Sequence, residues 1–251
     1  MSVHTLSARF VRALPRPSLS ASTVVALAIL TAACEPTSRI NSPSVISGSS
    51  KAASAAPSNY VVIANAAVTC TDGVITGNVG TFQATPTGSF TQTTCPIAGN
   101  IDVGSDGAQQ AFNNFLTTYT ALAPKLGDVC TVLTGTLDGV ILSPGAYCFD
   151  GAATVTGLVT LDGPADGTWS IQVGTSGTGA LTGTGFSVAL AGGARACNVT
   201  WWVADAVTMT GSNIRGNVLA GVAITLTGGT LNGSVSSRSD VTITGTAVAG
   251  C

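Results

Sequence analysis

Val207-Thr208-Met209-Thr210-Gly211 is answered 17 residues later by Ile224-Thr225-Leu226-Thr227-Gly228, and after the same interval again by Val241-Thr242-Ile243-Thr244-Gly245. Each copy is followed by an apolar residue (Ile214, Leu231, Val248) and then by a glycine (Gly216, Gly233, Gly250). So short a period is the mark of stacked coils, in which each unit covers the apolar side of the next. Alternation along a strand sends Val207, Met209 and their counterparts to one side and the Thr-x-Thr pair to the other. Stacking therefore predicts a threonine lattice over an apolar interior. A fourth copy stands far upstream: Val68-Thr69-Cys70-Thr71 precedes Ile75-Thr76-Gly77-Asn78-Val79, which matches Ile214-x-Gly216-Asn217-Val218 in register.

Outward from the repeats, turn-rich strands are expected at Leu142 to Phe149, Ala153 to Leu161, Thr168 to Val173, Leu181 to Leu190 and Asn198 to Ala204. Between the early coil and these strands, Ala108, Ala111, Phe112, Phe115, Leu116, Tyr119 and Leu122 recur at helical spacing. They predict one helix from Asp106 to about Ala123, capped by Ser105 or Asp106 and closed by Pro124, with its aromatic stripe packed on the solenoid. Seventeen residues divide into three short strands and three corners, which gives a triangular cross-section. The coil that runs to Cys251 is expected to be an uncapped end, open to end-to-end contact.

Composition removes several kinds of chemistry. His4 is the single histidine and Glu35 the single glutamate; charged residues are 8% of the chain, against roughly 25% in typical soluble proteins. Histidine-based metal sites and catalytic triads have no material here, so no metal and no cofactor are expected. From Cys34 onward the bases are Arg39, Lys51, Lys125, Arg195, Arg215 and Arg238, outnumbered by the acids, which leaves no basic patch for nucleic acid.

Arg9, Arg12 and Arg16 precede the short apolar run Val24 to Leu30, so residues 1–33 read as an export signal. The run ends in Leu30-Thr31-Ala32-Ala33-Cys34, which resembles a bacterial lipoprotein box with Cys34 as the lipidated residue. Membrane anchoring at the bacterial envelope is the expectation, with a conventional secretory cut the alternative. Residues 34–58 are mostly small or polar and read as a flexible tether. Residues 59–251 suffice for one domain. Its six cysteines, an even number in an exported chain, point to three disulfides, for which fifteen pairings exist. The expected set is Cys70 with Cys95, Cys130 with Cys148, and Cys197 with Cys251, the first two because they close short loops.

Leu142-Ser143-Pro144-Gly145-Ala146-Tyr147, Asp166 to Gly174, Leu190-Ala191-Gly192-Gly193-Ala194, Asn198-Val199-Thr200-Trp201, Gly216-Asn217-Val218-Leu219-Ala220 and Leu231-Asn232-Gly233-Ser234-Val235 occur in this order after an early helix. In these residues the region from Tyr60 to Cys251 resembles the microbial ice-binding protein family. The resemblance implies an all-β fold: a right-handed parallel β-solenoid of triangular section with one long helix alongside, the first coil joining the stack of the later ones. It also implies an ice-binding sheet whose outward residues correspond to Thr154, Thr225 and Thr242. By the repeat, Thr156, Thr208, Thr210, Thr227 and Thr244 join them, and Thr134 and Thr136 before the Pro-Gly corner are further candidates. The chain departs from many members in its cysteines, in Trp202 and in the segment Thr81 to Thr94.

The expected partner is therefore the surface of ice, met by a monomer that is not an enzyme. Two other classes compete. A structural or adhesive module would bind sugar or an envelope partner through the same face. A solenoid lyase or hydrolase would need clustered acids, for which Asp150, Asp162, Asp166 and Asp205 are the candidates; most adjoin glycine or proline in corners, where Asp is a turn residue. Arg215 and Arg238 read as solvated corner residues.

Overall fold

The computed structural model describes residues 59–251; the export signal, Cys34 and the tether lie outside them. The chain first winds through β1 (Tyr60–Ala64), β2 (Ala67–Thr71) and β3 (Val74–Thr76), then β4 (Asn78–Thr81), β5 (Ser89–Thr93) and β6 (Ile97–Ala98), and ends this first part at β7 (Ile101–Val103). Helix α1 (Asp106–Leu122) follows. The second part opens with β8 (Thr131–Val132) and β9 (Ile141–Leu142), and continues through β10 (Gly145–Phe149) with β11 (Ala153–Asp162), and β12 (Trp169–Val173) with β13 (Leu181–Ala191). It closes with β14 (Val199–Val203) and β15 (Val207–Arg215), β16 (Asn217–Ala220) and β17 (Ile224–Asn232), and finally β18 (Val235–Ser237), β19 (Val241–Thr244) and β20 (Ala247–Ala249).

Every pairing is parallel. One sheet runs β7-β4-β1-β18-β16-β14-β12-β10-β8 and the other β5-β2-β19-β17-β15-β13-β11-β9. The strands β11, β13, β15 and β17 are long because each turns a corner and serves two faces. At the bend stand Gly157, Gly185, Gly211 and Gly228, all with φ between 57° and 70°, a left-handed conformation in which a side chain is strained. This is the physical reason for the glycine that ends each Thr-x-Thr phrase. After Gly185, Gly211 and Gly245 the next residue, Phe186, Ser212 or Thr246, turns inward and is buried, whereas Leu158 after Gly157 is exposed. Thr246 bonds its hydroxyl to the carbonyls of Gly228 and Thr244, and that of Ser212 bonds to the carbonyl of Thr210.

The stack is not ordered as the chain is. Strand β1 pairs with β18 and β2 with β19, with Val68 opposite Val241 and Cys70 opposite Ile243. The N-terminal coils thus continue the C-terminal stack, which explains why Val68 to Val79 repeats its phrase. The coil leading to Cys251 is consequently no free end: β20 pairs with β3, against the expectation from sequence order. The end strands are β8 and β9 on one side and β5, β6 and β7 on the other.

Inside, a single apolar cluster runs the length of the prism, and it contains Trp169 and Trp201 at 1% exposure each. Their indoles donate to the carbonyls of Leu142 and Arg215. A second cluster lies outside the first sheet, where Ile63, Trp202 and Leu219 meet Ala108, Ala111, Phe112, Phe115 and Tyr119 of α1. Ser105 caps the helix by accepting from Ala108 N–H, and Gln172 of β12 donates to the Leu122 carbonyl at 2.7 Å. A 17-residue helix is about 25 Å long, matching the roughly 24 Å of five strand spacings from β4 to β12. The helix is therefore a strap across the first sheet. Arg238 is more than a solvated corner residue: its guanidinium lies 5.7 Å from the Tyr119 ring.

All three expected disulfides form: Cys70–Cys95, Cys130–Cys148 and Cys197–Cys251. The first ties β2 to the end coil of β5 and β6, the second ties the opposite end to β10, and the third fastens the segment after β20. Cross-links thus sit at both ends of the stack, where neighbouring coils protect on one side only.

Candidate functional site

On the second face the Thr-x-Thr pairs stand side by side. Thr154 is opposite Thr182 and Thr156 opposite Thr184; these continue to Thr208 and Thr210, Thr225 and Thr227, and Thr242 and Thr244. Across the junction the columns run on through Thr69 and Thr71 to Thr91 and Thr93. Seven neighbouring strands, β11, β13, β15, β17, β19, β2 and β5, therefore carry two unbroken threonine columns. On five of the strands the residue between the pair is buried (Val155, Met209, Leu226, Ile243 and Cys70); β13 has Gly183 there, and on the end strand β5 Gln92 is exposed. Each threonine is exposed or half-buried. Alternation, glycine corners and parallel register suffice to put every one outward.

Six spacings of about 4.8 Å make the columns roughly 29 Å long, and residues two apart on a strand are roughly 6.7 Å apart. No member of either column is charged. The strands beneath β2, β19, β17, β15 and β13 are bonded on both sides, and each β-branched threonine has few rotamers to lose. The result is a flat, stiff, neutral array of methyl and hydroxyl groups. Opposite it, α1 covers the first sheet, so this plane and the strap occupy different faces.

Eight of the ten threonines expected from sequence fall on these columns. Thr134 and Thr136 do not. Strand β8 stops at Val132, the chain turns, and Leu137 (φ 66°) is buried in the core. The Thr136 carbonyl accepts from Thr156 N–H at 3.0 Å. The columns also hold six threonines that the sequence reading left out: Thr69, Thr71, Thr91, Thr93, Thr182 and Thr184. Thr182-Gly183-Thr184 was obscured because its intervals to the neighbouring pairs are not 17 and because glycine replaces the central apolar residue. Thr91-Gln92-Thr93 carries a polar residue at the same place. The visible signal for both was the Thr-x-Thr spacing itself.

Two of the four candidate acids have hydrogen-bond partners, and all four stand at strand ends or bends. Asp150 accepts from the Thr175 hydroxyl and Asp205 from Gly179 N–H, while Asp162 ends β11 and Asp166 lies in the turn that follows. Among the described residues no group of His, Cys, Asp or Glu is placed to hold a metal. Tyr60, Tyr119 and Tyr147 have their pKa raised, in each case chiefly by burial; at Tyr119 the nearby Arg238 opposes the rise and Asp205 adds to it. The Tyr119 hydroxyl donates to the Val203 carbonyl. This is a fastening of the helix and not reactive chemistry.

A parallel solenoid with a helical strap and a bare threonine face defines a class of surface-adsorbing proteins. Residues 62–249 match the model of the ice-binding-like family, and the chain belongs to that family. It is 31% identical over 187 residues to ice-binding protein K3-B1 of Typhula ishikariensis, a match covering 66% of this chain and 75% of that one. An ice-binding protein of Nostoc sp. (strain HG1) is 33% identical over 168 residues, covering 65% of this chain and 60% of that one. Among solved structures, an ice-binding protein of the Antarctic ascomycete Antarctomyces psychrotrophicus superposes with a TM-score of 0.68 at 31% identity, covering 78% of this chain and 95% of that one.

Proposed function

We propose that the protein binds ice through the seven-strand threonine plane and restrains ice growth and recrystallisation. The observation that carries this reading is the unbroken register of the two columns, from Thr154 and Thr156 to Thr91 and Thr93. Each methyl weakens liquid-like hydrogen bonding beside it, and each hydroxyl supplies a donor and acceptors, so first-layer water on a rigid grid can join a crystal lattice. A front pinned at many adsorbed molecules advances only as curved bulges, and curvature lowers the local freezing point. No covalent step is needed, and the named relatives are ice-binding proteins, not enzymes. A sugar-binding role would favour exposed aromatic platforms, yet Trp169, Trp201 and Trp202 are all buried.

Export is part of the proposal. The disulfides suit an oxidising compartment, and the Ala33-Cys34 junction would make the protein either a lipid-anchored envelope component or, with a conventional cut, a released one. In this reading residues 34–58 are the tether between anchor and domain, and the domain works as a monomer. The central test is thermal hysteresis and recrystallisation inhibition by the purified chain and its Thr225→Tyr variant. Thr225 lies in mid-plane, so a tyrosine there should abolish both activities with the fold intact by circular dichroism. Undiminished activity in a folded Thr225→Tyr variant would remove the plane from consideration.

A further inference from the structure

The position two residues before the first threonine of each pair also recurs. It holds Ala152, Ala180, Ala206 and Ala223 just before β11, β13, β15 and β17, Ala67 and Ser89 at the start of β2 and β5, and Asp240 before β19. Backbone bonds keep these positions in step: Ala153 N–H donates to the Ala180 carbonyl, Leu181 to Ala206, Val207 to Ala223 and Ile224 to Asp240, at 2.9–3.0 Å. Alternation places them on the threonine side. Ala152, Ser89 and Asp240 are exposed, and Ala180, Ala206, Ala223 and Ala67 half-buried. Beside the two threonine columns, then, runs a third and lower one of small side chains, and Asp240 is the one carboxylate residue within it. Asp150 and Asp205 belong to the corner further back, and Asp205 is engaged with Gly179.

Asp240 also stands at the junction of the two parts of the chain. Its Oδ1 accepts from Ala67 N–H at 2.9 Å, joining the coil of β19 to that of β2. Resting on the ice-binding reading, we propose that the contact plane is three columns wide and that Asp240 limits it, sealing the junction while placing a charge in the plane. An ionised carboxylate holds its water strongly and surrenders it at high cost. Water ordered around that charge is oriented toward it and not toward a lattice growing over the neighbouring alanines and threonines.

The test compares thermal hysteresis and adsorption to ice for the full chain and its Asp240→Asn, Ala206→Lys and Thr225→Tyr variants. Asparagine keeps an oxygen for Ala67 N–H and removes the charge, so a wider hysteresis gap than wild type is expected at an unchanged melting temperature. Lysine at 206 puts a charge into the same column far from the junction, and a narrower gap is expected. If Thr225→Tyr loses activity while Ala206→Lys matches wild type, the third column is refuted and the threonine plane stands. If Asp240→Asn lowers the melting temperature without widening the gap, the aspartate serves the junction alone. A wild-type chain without hysteresis would overturn both this proposal and the reading beneath it.

Discussion

Replacing Gly183 by alanine tests why one rung of the plane departs from the repeat. A β-carbon at 183 would overlap Met209 Sδ and approach Met209 Cε and Val155 Cγ2 at 3.4 Å each. Met209 is 3% exposed, so its thioether can move aside only by displacing packed neighbours. Overpacking of this kind costs about 2 kcal/mol. Gly183 does not have a positive φ, so the alanine recovers about 0.5–1 kcal/mol by restricting the unfolded chain. The net loss of roughly 1–1.5 kcal/mol lowers the melting temperature by about 3–5 °C in a domain of this size. Met209→Ala alone leaves a cavity and costs about 2–5 kcal/mol. Combined, the new methyl occupies part of the space vacated by the sulfur, and the pair should be coupled favourably by about 1 kcal/mol or more. Thermal unfolding of the oxidised protein and the three variants, followed by circular dichroism, measures this directly. Costs that add to within about 0.5 kcal/mol would refute the claim that Gly183 is the recess for Met209.

Trp202→Ala removes a side chain buried at 5% exposure, its stack on Tyr119 at 5.1 Å and the donor to the Tyr119 carbonyl. A loss of about 3–5 kcal/mol is expected, with hydrogen exchange accelerated in α1 before the threonine strands; uniform acceleration would contradict the strap. The Cys197→Ser/Cys251→Ser variant releases a cross-link spanning 54 residues, which the chain-entropy relation values at roughly 4 kcal/mol. Its melting temperature should fall by about 8–16 °C, and an unchanged value would show that β20 is held by pairing alone. Tyr119 has its pKa raised by folding, so its contribution is fully present below the unfolded value and is lost as pH rises through the folded one. Alkaline titration should therefore destabilise the wild type above about pH 10 more steeply than Tyr119→Phe, and parallel curves would exclude this residue as the cause.

Much of the architecture was legible because the same physical constraint recurs at each rung. Val207, Ile224 and Val241 must face inward, and Gly211, Gly228 and Gly245 must adopt φ values of 57–66°, so the sequence repeats itself where the structure does. The helix was legible for the same reason, its apolar stripe being read at one period by one surface. Legibility failed where a rung solves the problem differently. Gly183 yields core volume to Met209, which breaks the apolar pattern; Asp72 and Thr94 take the corner conformation that glycine takes elsewhere. Thr134 and Thr136 misled because Thr-x-Thr spacing says nothing about whether a strand still exists there, and β8 has already ended at Val132. The free end assigned near Cys251 failed on topology: the phrase repeated at Val68 to Val79 shows that the early coil belongs to the stack, but not that it lies against β19 and β20.

That return has a consequence for how the molecule is made. The coils of β1 to β7 leave the ribosome or the export channel first, yet the surface on which they settle is completed last, when β18 to β20 appear. Until then their apolar residues, Val62, Val68 and Ile75 among them, have native neighbours on one side only, from β4, β5 and β6. Bringing together segments so far apart in sequence is slow, and the early coils must wait without aggregating. Gly250 lies against Val61, so the two ends of the domain are neighbours in space. A circular permutant that joins them and opens the chain in the stretch 123–130 would present the rungs in their spatial order. It should fold faster than the natural sequence while keeping the same native stack.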